Sequence, residues 1–267
     1  MLEQQLPDVR EFLLRTFGLR EMTPSICDYL RRADDSKAIL HCLLDSCLSV
    51  FNLGNGRLHY HHLFRDFLRH QLTASEEEKA HRRAAAYCRR SGEDEEAIYH
   101  LLRARAFEEA VHILDQVSRS VVRAGRPNTI ANWISRLPPE ILEEHPAILA
   151  HLGDIARLHS RFDEAVGWYR QAETRSRARN DAAALSRALR GQARVYLDTV
   201  KPTQAEHLLQ EALRLSDGQE DRVTRVRLLE LMAENQLNRG RLQRAEMLRS
   251  QARDLREEGL EEHEEHA

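Results

Sequence analysis

Long apolar runs are missing from this sequence, and that absence excludes a great deal. No stretch approaches the roughly 18 apolar residues a membrane-spanning helix needs. The first eight residues carry two acids, Glu3 and Asp8, and no apolar core of a leader peptide, so no membrane association is expected and the chain reads as cytoplasmic. Paired cysteines are missing too. Cys27, Cys42, Cys47 and Cys88 form no CxxC pair, and the first three fall in apolar helical patterns, so buried free thiols are expected in place of a disulfide framework or a zinc site. An excess of one charge is also absent: 40 basic residues against 43 acidic ones leave a formal net charge of −3, with no global field to draw nucleic acid or an anionic membrane. Lysine is scarce, present only at Lys37, Lys79 and Lys201, a bias read as base composition before function. Nothing matches GxxxxGK[ST], whose backbone amides and lysine would cradle phosphates, so an autonomous ATPase is excluded and no cofactor is expected. No Ser/His/Asp, Cys/His or paired-carboxylate constellation stands out from the charged background, and the chain is not expected to be an enzyme.

What is present is a repeat. Ala165, Ala205 and Ala245 stand 40 residues apart, as do Ala172, Ala212 and Ala252. Each alanine of the first set opens a helix after a short polar break. Upstream of each break lies another apolar-periodic run, at Ile148–Leu158, Leu185–Leu197 and Val226–Leu237, so the unit is a helical hairpin and the array a solenoid. The positions Leu149, Leu152, Gly153, Ala165, Tyr169 and Ala172, with Leu189, Ala193, Tyr196, Ala205, Leu209 and Ala212 next, resemble the tetratricopeptide repeat. The third unit keeps Leu229, Ala233, Ala245 and Ala252. The period of 40 exceeds the roughly 34 of the standard unit. The extra residues fall near 174–184 and 214–224 and imply longer helices or loops.

The N-terminal part reads differently. Two short helices in residues 6–30 break at Phe17–Arg20, with Thr23 placed to cap and Pro24 at the first helical position. A third helix spans Ser36–Ser46. The period then changes to that of a strand over Leu48–Leu53, Gly54-Asn55-Gly56 offers a turn, and Arg57–Tyr60 returns. Three helices followed by a hairpin form a winged-helix pattern, and a further helix begins at His61. From residue 76 onward the chain is helical, with Glu76–Arg90, Glu95–Ala104 and Phe107–Ser118 as the first members of the array.

The run Leu6-Pro-Asp-Val-Arg-Glu-Phe-Leu-Leu-Arg-Thr, the run Ile26-Cys27-Asp28 and above all Tyr60-His61-His62-Leu63-Phe64-Arg65-Asp66-Phe67-Leu68-Arg69 resemble the winged-helix segment of MalT-like regulators. These are LuxR-type members of the STAND class of signal-transduction ATPases. The stretch from Arg126 through Trp133 to Pro138 is similar to connecting helices of the same family. The resemblance implies a nucleotide-binding module before the winged helix, a sensory superhelix after it and a DNA-binding helix-turn-helix at the end. This chain is expected to lack the ATPase and DNA-binding parts, because no phosphate loop occurs and only an acidic tail follows Arg253. In the family the winged-helix His contacts the nucleotide's phosphate, so the resemblance gives His61 that role if another chain supplies the nucleotide-binding module and its ATP. The alternative is a helix-start His packed beside the hairpin. A metal site from His59, His61 and His62 is not expected, because alternate strand residues diverge. Direct nucleic-acid binding is not expected either: the third helix offers only Lys37 and His41, opposed by Asp45.

In the tetratricopeptide resemblance four positions of each first helix line a groove. They fall on Ala147, Ala150, Asp154 and Arg157, on Arg187, Arg190, Arg194 and Leu197, and on Arg227, Glu230, Glu234 and Leu237. Arg187, Arg190 and Arg194 share one helix face by spacing alone. Their like charges are answered either by Glu230 and Glu234 in an internal ladder or by an anionic ligand.

The expected fold is mostly α, a small winged-helix domain followed by an α-solenoid of tetratricopeptide-like hairpins. Its parts are a winged-helix-like domain at 1–74, connecting hairpins at 75–145, repeats at 146–256 and an acidic, frayed tail at 257–267. The expected function is that of a regulatory or sensor module of a MalT-like transcriptional regulator that binds a small anionic inducer or a partner protein. The alternative is a stand-alone adaptor that scaffolds a protein complex.

Overall fold

A computed structural model describes residues 6–45, 50–54, 56–216 and 222–264. Cys47, the start of the expected first strand, Asn55 and part of the 214–224 connection lie outside them. The chain divides into two compact units, Met1–Val117 and Ser118–Ala267. Fifteen helices and two strands occur among the described residues.

All seven prolines stand at helix starts, where the missing N–H breaks no intrahelical bond. Six occupy first-turn positions, at Pro7, Pro24, Pro127, Pro139, Pro146 and Pro202, and Pro138 is the residue before one. In the first unit, α1 (Pro7–Thr16), α2 (Pro24–Arg31) and α3 (Ser36–Asp45) precede the antiparallel pair β1 (Val50–Gly54) and β2 (Arg57–Tyr60). Val50 pairs with Tyr60 and Asn52 with Leu58, and Gly54 and Gly56 turn the chain at φ values of +88° and +72°. Alternation on β2 buries Leu58 and Tyr60. The Tyr60 hydroxyl meets the Thr16 hydroxyl at 2.6 Å inside the core, tying the hairpin to α1. Met22 adds a bridge to Leu58 through two backbone bonds of 2.7 and 3.0 Å, extending the sheet by one residue. Phe12, Leu13, Phe17, Met22, Leu43 and Leu68 are among the fully buried side chains of this winged helix. Thr23 holds the capping position of α2 in an extended conformation, but its hydroxyl makes no cap bond there.

The helix α4 (His62–Arg69) follows β2, and α5 (Ala74–Arg90) begins two residues earlier than the sequence suggests. A reciprocal cap explains that start. Thr73 accepts from the Glu76 amide, and the Glu76 carboxylate accepts from the Thr73 amide at 2.8 Å. The helices α6 (Asp94–Arg103) and α7 (Phe107–Arg123) continue the chain, with α5 and α6 paired as a hairpin.

The second unit contains α8 (Pro127–Ile134), α9 (Pro139–Glu144) and three hairpins: α10 (Pro146–Leu158) with α11 (Phe162–Arg179), α12 (Ala182–Asp198) with α13 (Pro202–Leu215), and α14 (Arg222–Asn238) with α15 (Leu242–Glu264). The repeated alanines explain themselves in packing: Ala165, Ala205, Ala172 and Ala212 are 0% exposed, Ala245 1% and Ala252 3%. Only a methyl group fits where paired helices approach this closely. Between the helices of each pair the chain turns through a left-handed residue, Ser160, Val200 and Gly240, again 40 apart. At each corner two amides return to the preceding helix, as Val200 does to the Leu197 carbonyl and Lys201 to that of Tyr196. The extra residues near 174–184 lengthen α11, which ends on Asn180 in the left-handed conformation. The acidic segment expected to fray from residue 257 is helical through Glu264, consistent with the high helix propensity of its Glu and Leu residues.

Candidate functional site

The first helices of successive hairpins are neighbours, α10 against α12 and α12 against α14, and each intervening second helix packs on the first helices at both sides. A continuous face of first helices results. One tight joint of it is made by Tyr169 of α11, whose ring is wedged between Gly153 of α10 and Gly191 of α12. A Cβ at Gly153 would lie 2.6 Å from the ring and one at Gly191 2.2 Å. The hydroxyl of this 1% exposed tyrosine donates to Asp154 at 2.6 Å. Burial and the Asp154 carboxylate raise its pKa well above the usual phenol range.

The structure separates the seven expected groove residues into different circumstances. Arg157 donates to Asp198 at 2.9 Å, a bridge from α10 to α12 whose side chains are 18% and 32% exposed. Burial opposes the charge on Arg157, yet the bond and the charge of Asp198 hold its pKa above the ordinary value. Arg187 is half-buried and lies 3.0 Å from Nδ1 of the buried His151 on α10. Arg190 is half-buried and Arg194 exposed on the same stripe of α12. On α14, Arg227 is half-buried while Glu230 and Glu234 are exposed. Glu230 is bonded to Arg256 of α15. Ala150 and Leu197, groove positions by resemblance, are 0% and 4% exposed and line the core.

Sequence reasoning missed a carboxylate that gathers four bonds. Glu206 of α13 accepts from Asn235 at 2.7 Å, from Gln236 through both oxygens at 2.8 and 3.0 Å, and from Arg239 at 2.8 Å. A second such joint links Glu173 of α11 to Gln192 of α12 at 2.6 Å and to Arg177, which reaches Glu211 of α13 at 2.7 Å. Two adjacent buried amides, Asn235 and Gln236, inside an apolar-periodic run were the signal available for the first. Buried amides require partners.

In the first unit, His61 caps α4: the Leu63 amide donates to its Nδ1 at 3.3 Å. That bond fixes the tautomer, leaving the proton on Nε2. Its ring lies 5.8 Å from Phe51 and 4.3 Å from His62. Elsewhere in the unit His81 of α5 and His100 of α6 meet through their Nδ1 atoms at 2.8 Å, each side chain 1% exposed. Burial is the main reason that both pKa values fall, to about 4 for His81 and about 3 for His100. The His81 ring packs edge-on against Phe17, and a Cβ at Gly18 would strike it at 2.8 Å.

Comparison with known proteins separates the two parts. Residues 1–80 match the family described as the MalT winged helix domain. A search of curated proteins finds no match. Among solved structures, the MamA protein is 14% identical with a TM-score of 0.50, over 70% of this chain and 96% of its own. The tetratricopeptide-like repeats of a putative kinesin light chain from Podosopora anserina are 16% identical with a TM-score of 0.46, over 68% and 96%. A STAND protein with a tetratricopeptide repeat sensor from Pyrococcus horikoshii is 12% identical with a TM-score of 0.47, over 95% of this chain and 45% of its own. At 14% identity and a TM-score of 0.50, the likeness to the MamA protein is one of fold alone. The chain spans less than half of the Pyrococcus protein.

Proposed function

We propose that this chain, a MalT-type winged helix domain joined to tetratricopeptide-like hairpins, is a regulatory module whose repeats bind a protein partner along the face of α10, α12 and α14. The observation that carries the proposal is the charge layout of that face. Arg194 stands exposed on α12, while carboxylates of the same two hairpins are engaged elsewhere: Asp198 with Arg157, Glu206 with Asn235, Gln236 and Arg239, and Glu230 with Arg256. Glu234 stands exposed on α14. A segment with an acidic side chain opposite α12 and a basic one opposite α14 matches this order.

Transcriptional regulation is part of the proposal, and the winged-helix match at residues 1–80 supports it. With Nδ1 taken by the Leu63 amide, the half-buried His61 at the start of α4 keeps an Nε2–H, the donor a phosphate oxygen would take if a nucleotide-binding module from another chain docked there. A small anionic inducer is the second ligand class that suits the arginines of α12.

The test is retention through gentle purification from the native cells, read by native mass spectrometry, for the wild type and for Arg194→Glu/Glu234→Arg. A stoichiometric protein held by the wild type and lost by the variant supports the reading. Equal retention by both overturns it. A retained protein with no role in transcription would identify the chain as a stand-alone adaptor.

A further inference from the structure

The first unit holds a cavity of about 710 Å³ that nothing above uses, bordered by α1, the end of α2 and the start of α5. Its apolar lining comes from Leu14, Leu30 and Leu72. Four cations, Arg10, Arg15, Lys79 and Arg83, stand around it against two carboxylates, Glu11 and Glu76. Both carboxylates have other work. Glu11 pairs with Arg15 at 2.7 Å, and Glu76 receives the Thr73 amide and hydroxyl, each at 2.8 Å. Arg15 and Arg83 donate to the Arg31 and Tyr29 carbonyls at 3.1 Å each, placing two guanidinium groups at the C-terminal end of α2. That location favours cations, but it supplies no full negative charge. The Arg83 pKa is lowered by burial and by the charges of Arg32 and Arg15, the behaviour of a cation among cations.

From this cavity and its rim we infer that the winged-helix unit binds a small amphipathic carboxylate, its apolar body on Leu14, Leu30 and Leu72 and its acid group held by Arg10, Lys79 and Arg83. The volume is in the range of small-molecule sites, and the leucines give an apolar floor beneath a charged rim. Guanidinium groups match a carboxylate in a fork geometry that a neutral head group cannot exploit. Leu14 and Leu72 are half-buried, so an acyl or branched chain covering them gains burial while its carboxylate stays at the cationic rim.

The test is calorimetric titration of the full chain with octanoate, octanol and octylamine at low salt. Octanoate is expected to bind at least roughly tenfold more tightly than octanol, and octylamine more weakly than either, with the preference falling as salt is added. Arg10→Gln/Lys79→Gln, at two exposed positions, should weaken octanoate by roughly tenfold and leave octanol unchanged. Arg194→Glu in the second unit should bind octanoate as the wild type does, which keeps this site distinct from the proposed partner face. Octanoate binding no better than octanol overturns the inference. So does an unchanged octanoate affinity in the double variant, or an octanoate loss in Arg194→Glu.

Discussion

Acidification should unfold the first unit through one pair of imidazoles. One of the two Nδ1 atoms of His81 and His100 donates and the other accepts, so the contact holds a single ring proton. Adding a second proton would set two donors face to face in a site where His81 Nε2 already lacks a hydrogen-bonding partner. Nearby Arg65 and Arg103 oppose charge on His81, and Arg20 opposes it on His100. The folded pair therefore stays neutral until about pH 4, whereas unfolded histidines protonate near 6.5. Between those values the unfolded chain binds protons that the folded chain refuses. Stability is thus complete above about pH 7 and declines as pH falls. At pH 5.5 each unfolded histidine gains about 1.4 kcal/mol from protonation, so the pair removes about 3 kcal/mol. Both tryptophans, Trp133 and Trp168, belong to the second unit, so their fluorescence reports on the wrong part. The assay is hydrogen exchange of the α5 and α6 amides at pH 7.5 and 5.5, corrected for intrinsic rates, with far-UV ellipticity in urea as a check. The wild type should lose about 3 kcal/mol more than His81→Leu/His100→Leu over that interval. Equal losses in the two proteins would refute the reasoning, because all other titrating groups are common to both.

Gly191→Ala should cost about 3 kcal/mol in the second unit, since its methyl would stand 2.2 Å from the Tyr169 ring. Adding Tyr169→Leu should recover part of that loss in a urea double-mutant cycle, and strict additivity would disprove the wedge. Val200 is β-branched, 72% exposed and held at φ +53°, so Val200→Gly should stabilise the unit by about 1 kcal/mol, seen as a rise of a few degrees in Tm. The buried Cys27 and Cys88 thiols, both pushed up to about 12, should resist a thiol-specific reagent in the folded chain and react on unfolding. Fast native modification at either position would contradict their burial.

The parts of this fold that were legible in sequence are those that depend on local periodicity. Alanines recurring every 40 residues marked where helices touch, and prolines marked where they begin. The glycines at 54 and 56 marked the hairpin turn. Contacts whose geometry depends on how two helices cross were not legible. His81 and His100 are 19 residues apart on different helices, and nothing local says that their rings converge. Gly191 carries no local signal, and only the crossing of α11 and α12 shows that the Tyr169 ring needs its missing side chain. The Met22–Leu58 bridge joins single residues and leaves no alternating pattern. The groove positions were assigned by resemblance, and two of them, Ala150 and Leu197, face the core, because which face of a first helix is covered depends on how its neighbours cross it.

The tyrosine wedge also bears on how related sequences can diverge. One period later its place is taken by Leu209, and the places of Gly153 and Gly191 by Ala193 and Leu231, all members of one buried cluster. A large plug between two empty walls has been exchanged for a smaller plug between fuller ones. The three positions are repacked as a set, with more side-chain volume in the later one, so none is independent of the other two. Homologues should therefore substitute these residues in concert: wherever the tyrosine shrinks, one or both glycines should grow, and a repeat transplanted between proteins should fit only if all three travel together.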